Sequence, residues 1–324
     1  MTKCAILDDY QGIARSLADW EKLNIETLFF SDHFFDEASL IDAIKDCEIV
    51  VAMRERTLFD RALLEKLTNL KLLVTTARRN PSIDILAAES LGIAVCGSDA
   101  KTYPTAELTW ALILALVRHV AFEDAQMRLK KNWQMKVGVD IYGKTLGLLG
   151  LGTIGVRVAR VALAFDMKVI AWSNNLTRER CEENHVEYVS KDELIARSDI
   201  LSIHTQLSKR TEGLIGHNEF AKMKPTAYLI NTSRAFIVNE EALLDALDRK
   251  LIAGAGIDVY EAEPLPFDHP LRSRSNTVLT PHIGYVSEDN YRMWFTQIVE
   301  NIDSWLAGKV IRRMDATINI DRSL

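Results

Sequence analysis

Lys144-Thr145-Leu146-Gly147-Leu148-Leu149-Gly150-Leu151-Gly152-Thr153-Ile154-Gly155 is the stretch on which the fold turns. An apolar strand runs directly into a Gly-x-Gly-x-x-Gly turn, and Val156 to Phe165 continue with helical spacing. Gly150 permits the tight turn, Gly152 lets backbone approach a pyrophosphate, and Gly155 lets helix and strand pack closely. Phosphate then sits at the helix N-terminus, where free N–H groups and the helix dipole favour negative charge. Glycine clusters alone are most often plain turns. Between a strand and a helix, this one points to dinucleotide binding.

One position in the unit is off-pattern. A site that prefers NAD usually carries Asp or Glu about 20 residues beyond the first glycine, to hold the adenosine ribose hydroxyls. Here the next strand, Lys168 to Trp172, ends in Ser173-Asn174-Asn175 and the acid is missing. The choice between NAD and NADP therefore stays open.

A chain of 324 residues can hold two ordinary domains, each with its own core. Its 48% hydrophobic and 26% charged content is globular. The net charge of −6 gives no reason to expect nucleic acid as a partner. Asp8-Asp9 interrupt the first apolar run, so no signal-peptide core fits. The longest apolar run, Leu108–Val117, is too short for a bilayer and reads as a buried helix, so no membrane is expected. Cys4, Cys47, Cys96 and Cys181 are scattered without metal-ligand spacing, so no metal site is expected. They read as buried free thiols, which implies a reducing, cytoplasmic setting.

The first hundred residues alternate strand-like segments (4–7, 27–30, 49–52, 72–75, 93–95) with helical ones (37–44, 60–67, 83–91). Pro104 suits the first turn of a helix running to about His119. A second series places strands at 145–149, 168–171, 200–204, 227–231, 254–258 and 277–279, with helices at 154–165, 192–197 and 240–250. Alternation of this kind argues for parallel sheets flanked by helices, an α/β fold. The helical pattern from Ser287 to Leu306 has no strand-like follower, so that helix is expected to leave the second domain.

Three clusters lie at the ends of predicted strands: Leu229-Ile230-Asn231-Thr232-Ser233-Arg234, Ala253-Gly254-Ala255-Gly256-Ile257-Asp258-Val259-Tyr260-Glu261-Ala262-Glu263-Pro264, and Leu279-Thr280-Pro281-His282-Ile283-Gly284. In an open parallel sheet, those strand ends line the ligand crevice. Hydride leaves C2 of a 2-hydroxy acid readily only if the hydroxyl proton leaves too, and histidine suits that base. A carboxylate on the far ring nitrogen fixes the tautomer and stabilises the imidazolium. The substrate carboxylate and the developing C2 oxyanion need a fixed cation, and arginine's planar fork provides one. The candidates are His282, Glu263 and Arg234. Taken singly, each reads equally well as a loop histidine, a turn residue and a surface arginine; jointly, downstream of a dinucleotide loop, those readings weaken.

With these motifs in order, the chain resembles the D-isomer-specific 2-hydroxyacid dehydrogenase family, from Val50-Val51-Ala52-Met53-Arg54-Glu55-Arg56-Thr57 to the helix after Gly284. The resemblance implies two doubly wound parallel-sheet domains. A Rossmann cofactor domain (101–284) is inserted in a flavodoxin-like substrate domain (1–100 and 285–324), with a cleft between them. It implies stereospecific, NAD- or NADP-dependent interconversion of a 2-keto acid and a D-2-hydroxy acid, NAD being favoured on family grounds. The family's acid/base His falls on His282, its orienting Glu on Glu263 and its substrate-polarising Arg on Arg234. Its aspartate near the nicotinamide carboxamide falls on Asp258, and further cofactor contacts fall on Thr153, Ile154, His204, Thr232 and Ser233. Ser173 stands where NAD-preferring members carry Asp, and Ser173 and Asn174 can still bond a ribose hydroxyl. Arg178 and Arg180, just beyond, read as reaching a 2′-phosphate or as helix-surface charges.

The family's substrate loop falls on Ala77-Arg78-Arg79-Asn80, where two arginines replace the usual small residues and solvent is their favoured direction. Arg54 is a further substrate candidate. The residue after Arg234 is Ala235 instead of the usual Gly, and His204-Thr205-Gln206-Leu207 makes a more polar adenine wall than the usual His-x-Pro-Leu. A homodimer is expected through Pro104–His119 and the segment to about Tyr142. The alternative is an NAD(H)-sensing, corepressor-like binding module of the same fold. Formate and phosphonate dehydrogenases rank lower, because they carry Gln where Glu263 stands.

Overall fold

The structure, a computed structural model, describes residues 1–315 and consists of two compact units. One comprises Met1–Lys101 together with residues 286–315; the other is Thr102–Tyr285. Of the expected C-terminal piece 285–324, residues 316–324 lie outside the described residues.

The first unit is built on strands β1 (Lys3–Ile6), β2 (Glu26–Phe29), β3 (Ile49–Ala52), β4 (Leu72–Thr75) and β5 (Ala94–Cys96). They are all parallel, in the order β2-β1-β3-β4-β5. This is the flavodoxin-like order, in which the chain reverses direction across the sheet between β1 and β3. Strands β3 and β4 are buried along their whole length, as expected where helices cover both faces. Helices Glu37–Ile44, Arg61–Lys66 and Ile85–Ser90 each begin at an aspartate (Asp36, Asp60 and Asp84) whose side chain accepts a first-turn N–H. The helix Glu288–Leu306 belongs to this unit: the Trp294 ring, fully buried, donates its Nε1–H to Asp99 O (2.8 Å), and Asn301 donates to Gly97 O (2.9 Å).

The second unit holds β6 (Thr145–Leu149), β7 (Lys168–Trp172), β8 (Glu187–Tyr188), β9 (Ile200–Ile203), β10 (Tyr228–Asn231), β11 (Gly254–Ile257) and β12 (Thr277–Leu279). Their order, β12-β11-β10-β9-β6-β7-β8, is a Rossmann order extended by one strand, and every pairing is parallel. One apolar core, including Leu146, Leu148, Val158 and Ala162, packs the helix Thr153–Ala164 and the helix Tyr103–Val117 on one face. A second, including Leu201, Ile203, Phe220 and Leu247, fills the other.

Most expected strands fall within a residue of their place. The helix expected to run to His119 ends at Val117; His119 takes a left-handed φ of 56° and a second helix, Val120–Arg128, departs at 66° to the first. The helices Ala14–Leu17 and His217–Lys222 and the strand β8 were not anticipated, and Arg178–Glu182 is the short helix on which Arg178 and Arg180 were one alternative's surface charges. They run two to six residues, too short to show a period. Among the described residues no single helix is long and apolar enough to cross a membrane, and no three His, Cys, Asp or Glu side chains gather as a metal site.

Candidate active site

The glycine turn after β6 is shaped by contacts that no side chain could share. A Cβ on Gly150, whose φ is +106°, would stand 2.8 Å from Thr205 N, and one on Gly155 would stand 2.3 Å from Gly150 O. A Cβ on Gly152 would meet nothing within 4 Å, so the turn is open on the face where a ligand would lie. Unlike the aspartate-capped helices of the other unit, Thr153–Ala164 starts at Gly152 with no side chain on its first N–H groups. Thr153 is exposed and Ile154 half-buried at this end. An open glycine face and uncapped helical amides fit a pyrophosphate.

Neighbouring strand ends are tied to this turn. His204 N donates to Leu149 O (2.8 Å), and the His204 ring nitrogen Nε2 lies 2.8 Å from Ser202 Oγ. Burial lowers the His204 pKa to about 4, so the imidazole is neutral. After β10, Asn231 Oδ1 accepts from Ser233 N and Asn231 Nδ2 donates to Arg234 O, both at 3.0 Å, which curls Thr232–Arg234 into a turn. Ser233 Oγ donates to Thr205 O (2.5 Å), and the Thr232 hydroxyl meets that of Thr109 (2.9 Å). Arg234 is half-buried and extended, with Nη1 donating to Ser233 O at 2.8 Å.

His282 and Glu263 come together. Nδ1 of His282 lies 2.6 Å from Glu263 Oε2; a carboxylate only accepts, so Nδ1 carries the hydrogen and Nε2 stands outside this pair. Glu263 Oε1 accepts from Tyr260 N (2.9 Å), so both carboxylate oxygens are held. The Tyr260 hydroxyl bonds Ile257 O and Thr280 O, each at 3.0 Å, and the ring is buried.

Asp258 holds the loop that carries the histidine. It is fully buried, and Oδ1 accepts from Thr280 Oγ1 (2.6 Å) and Ile283 N (2.8 Å), Oδ2 from Gly284 N (2.9 Å). Burial raises its pKa, opposed mainly by the Thr280 hydroxyl. His282, at the centre of this loop, has a left-handed φ of 53°. A Cβ on Gly284 would stand 3.1 Å from Asp258 Oδ2, and the Gly284 carbonyl accepts from Thr105 Oγ1 (2.9 Å). Tyr260 and Thr280 lay within the strand-end clusters of the sequence without a role of their own, and Thr105 was not singled out; tertiary contact gives each its part.

The turn after β7 places Ser173 half-buried and Asn174 exposed. Arg178 lies over the Tyr188 ring, 4.9 Å from its centroid, and Arg180 pairs with Glu183 at 3.7 Å. Three candidates lie in the other unit. The Arg78 guanidinium is 68% exposed and bonds Asp99 Oδ1 (2.7 Å), and Arg79 is half-buried. Arg54 has a left-handed φ of 53°, its N–H donates to Thr76 Oγ1 (2.9 Å), and its side chain lies 3.5 Å from Glu55. Fully buried Asn80 bonds Arg54 O (2.6 Å) and Thr75 Oγ1 (2.9 Å) and so links the ends of β3 and β4.

A glycine turn on a Rossmann sheet, with a carboxylate-held histidine at the same strand ends, defines a dinucleotide-dependent oxidoreductase. Residues 110–284 match the family model described as D-isomer specific 2-hydroxyacid dehydrogenase, NAD binding domain. The chain is 34% identical over 309 residues to a glyoxylate reductase of Korarchaeum cryptofilum, covering 92% of this chain and 93% of that protein. It is 40% identical over 260 residues to a glyoxylate reductase of Aeropyrum pernix, covering 78% of each. The crystal structure of a phosphoglycerate oxidoreductase from Vibrio cholerae superposes with a TM-score of 0.90 at 34% identity, over 95% of this chain and 100% of that one.

The chain belongs to the D-isomer specific 2-hydroxyacid dehydrogenase family. It is an oxidoreductase of 2-keto and 2-hydroxy acids built around a nicotinamide-dinucleotide domain, and nothing in these relatives supports the corepressor alternative.

Neutral His204 sets an acid limit on stability. A histidine with a lowered folded-state pKa binds its proton more readily unfolded, so stability is full above the ordinary value near 6.5 and falls as pH drops toward 4. The loss attributable to His204 is about 3 kcal/mol at most. Urea unfolding at pH 7 and pH 4.5 should show a smaller acid-induced loss in His204→Asn than in the parent; equal losses would contradict the assignment.

Proposed function

We propose that the protein reduces a small 2-keto acid to the D-2-hydroxy acid, and runs the reverse oxidation, with His282 as acid/base. The 2.6 Å contact between His282 Nδ1 and Glu263 Oε2 carries this reading. It presents a histidine in one tautomer with a fixed ring plane, as proton transfer at a substrate oxygen requires. In the reductive direction Nε2 gives its proton to the C2 oxygen as the carbonyl becomes a hydroxyl. Glu263 orients the ring and offsets the charge of the imidazolium. Arg234 holds the substrate carboxylate and polarises the carbonyl through its planar fork. When bound, the reduced nicotinamide cofactor supplies the hydride to C2.

The seven-stranded unit is assigned as the cofactor domain and the five-stranded unit as the substrate domain. Gly150, Gly152, Gly155, Thr153 and Ile154 receive the pyrophosphate, Ser173 and Asn174 the adenosine ribose, and His204, Thr232 and Ser233 line the rest of the strand ends. Asp258 serves this end by position: its carboxylate already accepts three hydrogen bonds from the loop of His282. In the substrate domain Arg54 is assigned to the substrate's anionic end, and Arg78 and Arg79 add positive charge to their loop. The four buried free thiols fit a reducing, cytoplasmic compartment.

A second copy of the chain is the proposed partner. The helix Val120–Arg128 buries none of its residues, and the following segment leaves Leu129, Trp133, Val137 and Tyr142 between 64% and 92% exposed. An exposed apolar run of this kind calls for a cover. No nucleic-acid or membrane partner is proposed.

Steady-state assays with glyoxylate, hydroxypyruvate, pyruvate, phenylpyruvate and 2-ketoisocaproate test the activity directly. His282→Gln should lower kcat by about 100- to 10,000-fold while leaving cofactor affinity within a few-fold. Arg234→Lys should raise KM and lower kcat together, because a point charge cannot reproduce the fork. Near-normal turnover in His282→Gln would remove the histidine from its role. For the dimer, sedimentation at micromolar concentration should give twice the chain mass, and Leu129→Asp with Val137→Asp should give the chain mass. A monomeric parent would refute the pairing.

A further inference from the structure

The turn after β7 carries only neutral side chains. In a Rossmann unit this strand end meets the adenosine ribose, where an acid favours NAD(H) by bonding the hydroxyls and repelling a 2′-phosphate, and a cation favours NADP(H). Here it carries Ser173-Asn174-Asn175, with Ser173 half-buried and the two asparagines exposed. The nearest cations in sequence, Arg178 and Arg180, are held elsewhere. Arg178 stacks on Tyr188, and Arg180 pairs with Glu183 along its own short helix. Thr177 caps that helix through the Arg180 N–H (3.2 Å), which fixes where both arginines start. The turn thus presents hydroxyl and amide groups, with neither an acid to repel a phosphate nor a committed cation to hold one.

We infer that the protein binds NAD(H) and NADP(H) with comparable affinity, within about tenfold, and that Ser173 is the residue that keeps the two equal. The inference rests on the dinucleotide reading of the glycine turn. Ser173 and Asn174 bond a ribose hydroxyl in one cofactor and a 2′-phosphate oxygen in the other. The exposure of Asn174 and Asn175 leaves the added phosphate in water, so its desolvation cost is small. The loop after β9 meets the glycine turn at Thr205 and then carries exposed Lys209 and Arg210, which add positive charge on the same sheet edge. Screening by salt keeps that contribution modest.

Binding settles the matter without turnover. Dissociation constants for NADH and NADPH, measured on the intact protein by calorimetry, should agree within about tenfold. Ser173→Asp should weaken NADPH at least tenfold while leaving NADH equal or tighter. Preference for either cofactor by more than tenfold in the parent would overturn the inference, as would a Ser173→Asp variant that keeps both affinities. Binding of neither cofactor by the parent would instead refute the dinucleotide reading, a different outcome from a skewed ratio. Thermal unfolding of Ser173→Asp checks that the variant is folded.

Discussion

A buried carboxylate with three donors from one loop is the constraint on which the site depends. Asp258 leaves β11, turns inward, and takes the Thr280 hydroxyl and the N–H groups of Ile283 and Gly284. A carboxylate fully removed from water is costly unless its lone pairs are used, and here the bonds that use them fix a loop. Because donors lie on both sides of His282, the histidine backbone is confined to its left-handed φ. The imidazole is then delivered to Glu263. Glu263 in turn is fixed by Tyr260 N, and Tyr260 by carbonyls at the ends of β11 and β12. Each member is held by the sheet, so the geometry of the histidine is inherited from strand register.

The same logic governs the glycine turn. Gly150 and Gly155 are required by neighbouring backbone, whereas Gly152 faces open space. Close packing at the first and third glycines draws β6, its helix and the loop after β9 together. The openness at the second, with no side chain on the helix N-terminus, leaves amides with no partner of their own at a place shaped for a diphosphate. Neighbouring backbone excludes a side chain at two of the three glycines, and the third keeps the face of the turn open.

Much of this was legible in the sequence for a definite reason. Fully buried parallel strands are continuous apolar runs, so Ile49–Ala52, Leu72–Thr75 and Thr145–Leu149 announce their own bounds. The helices Glu37–Ile44 and Arg61–Lys66 begin within a residue of their expected places, each at a capping aspartate. Arg234, Glu263 and His282 were visible because a hydride-transfer site needs a fork, an orienter and a base in that company. Asp258 appeared by resemblance alone, as a cofactor contact. Its hold on the histidine loop depends on partners 22 to 26 positions away, which no local pattern records. β8 escaped notice because it is two residues on a sheet edge, and Val120–Arg128 because a helix that buries nothing in its own unit has no apolar stripe to read.

The arginines show where sequence and structure divide most sharply. Six arginines stood out by charge or motif: Arg54, Arg78, Arg79, Arg178, Arg180 and Arg234. Charge alone says nothing of commitment. Arg78 is bound to Asp99, Arg178 to an aromatic face and Arg180 to a carboxylate one turn on, and each partner is set by the fold. Arg234 differs in its backbone, which is fixed on both sides, by Asn231 at its carbonyl and by the Ser233 turn before it, and its guanidinium bonds Ser233 O. What sets it apart from the other arginines is therefore the rigidity of the strand end that carries it.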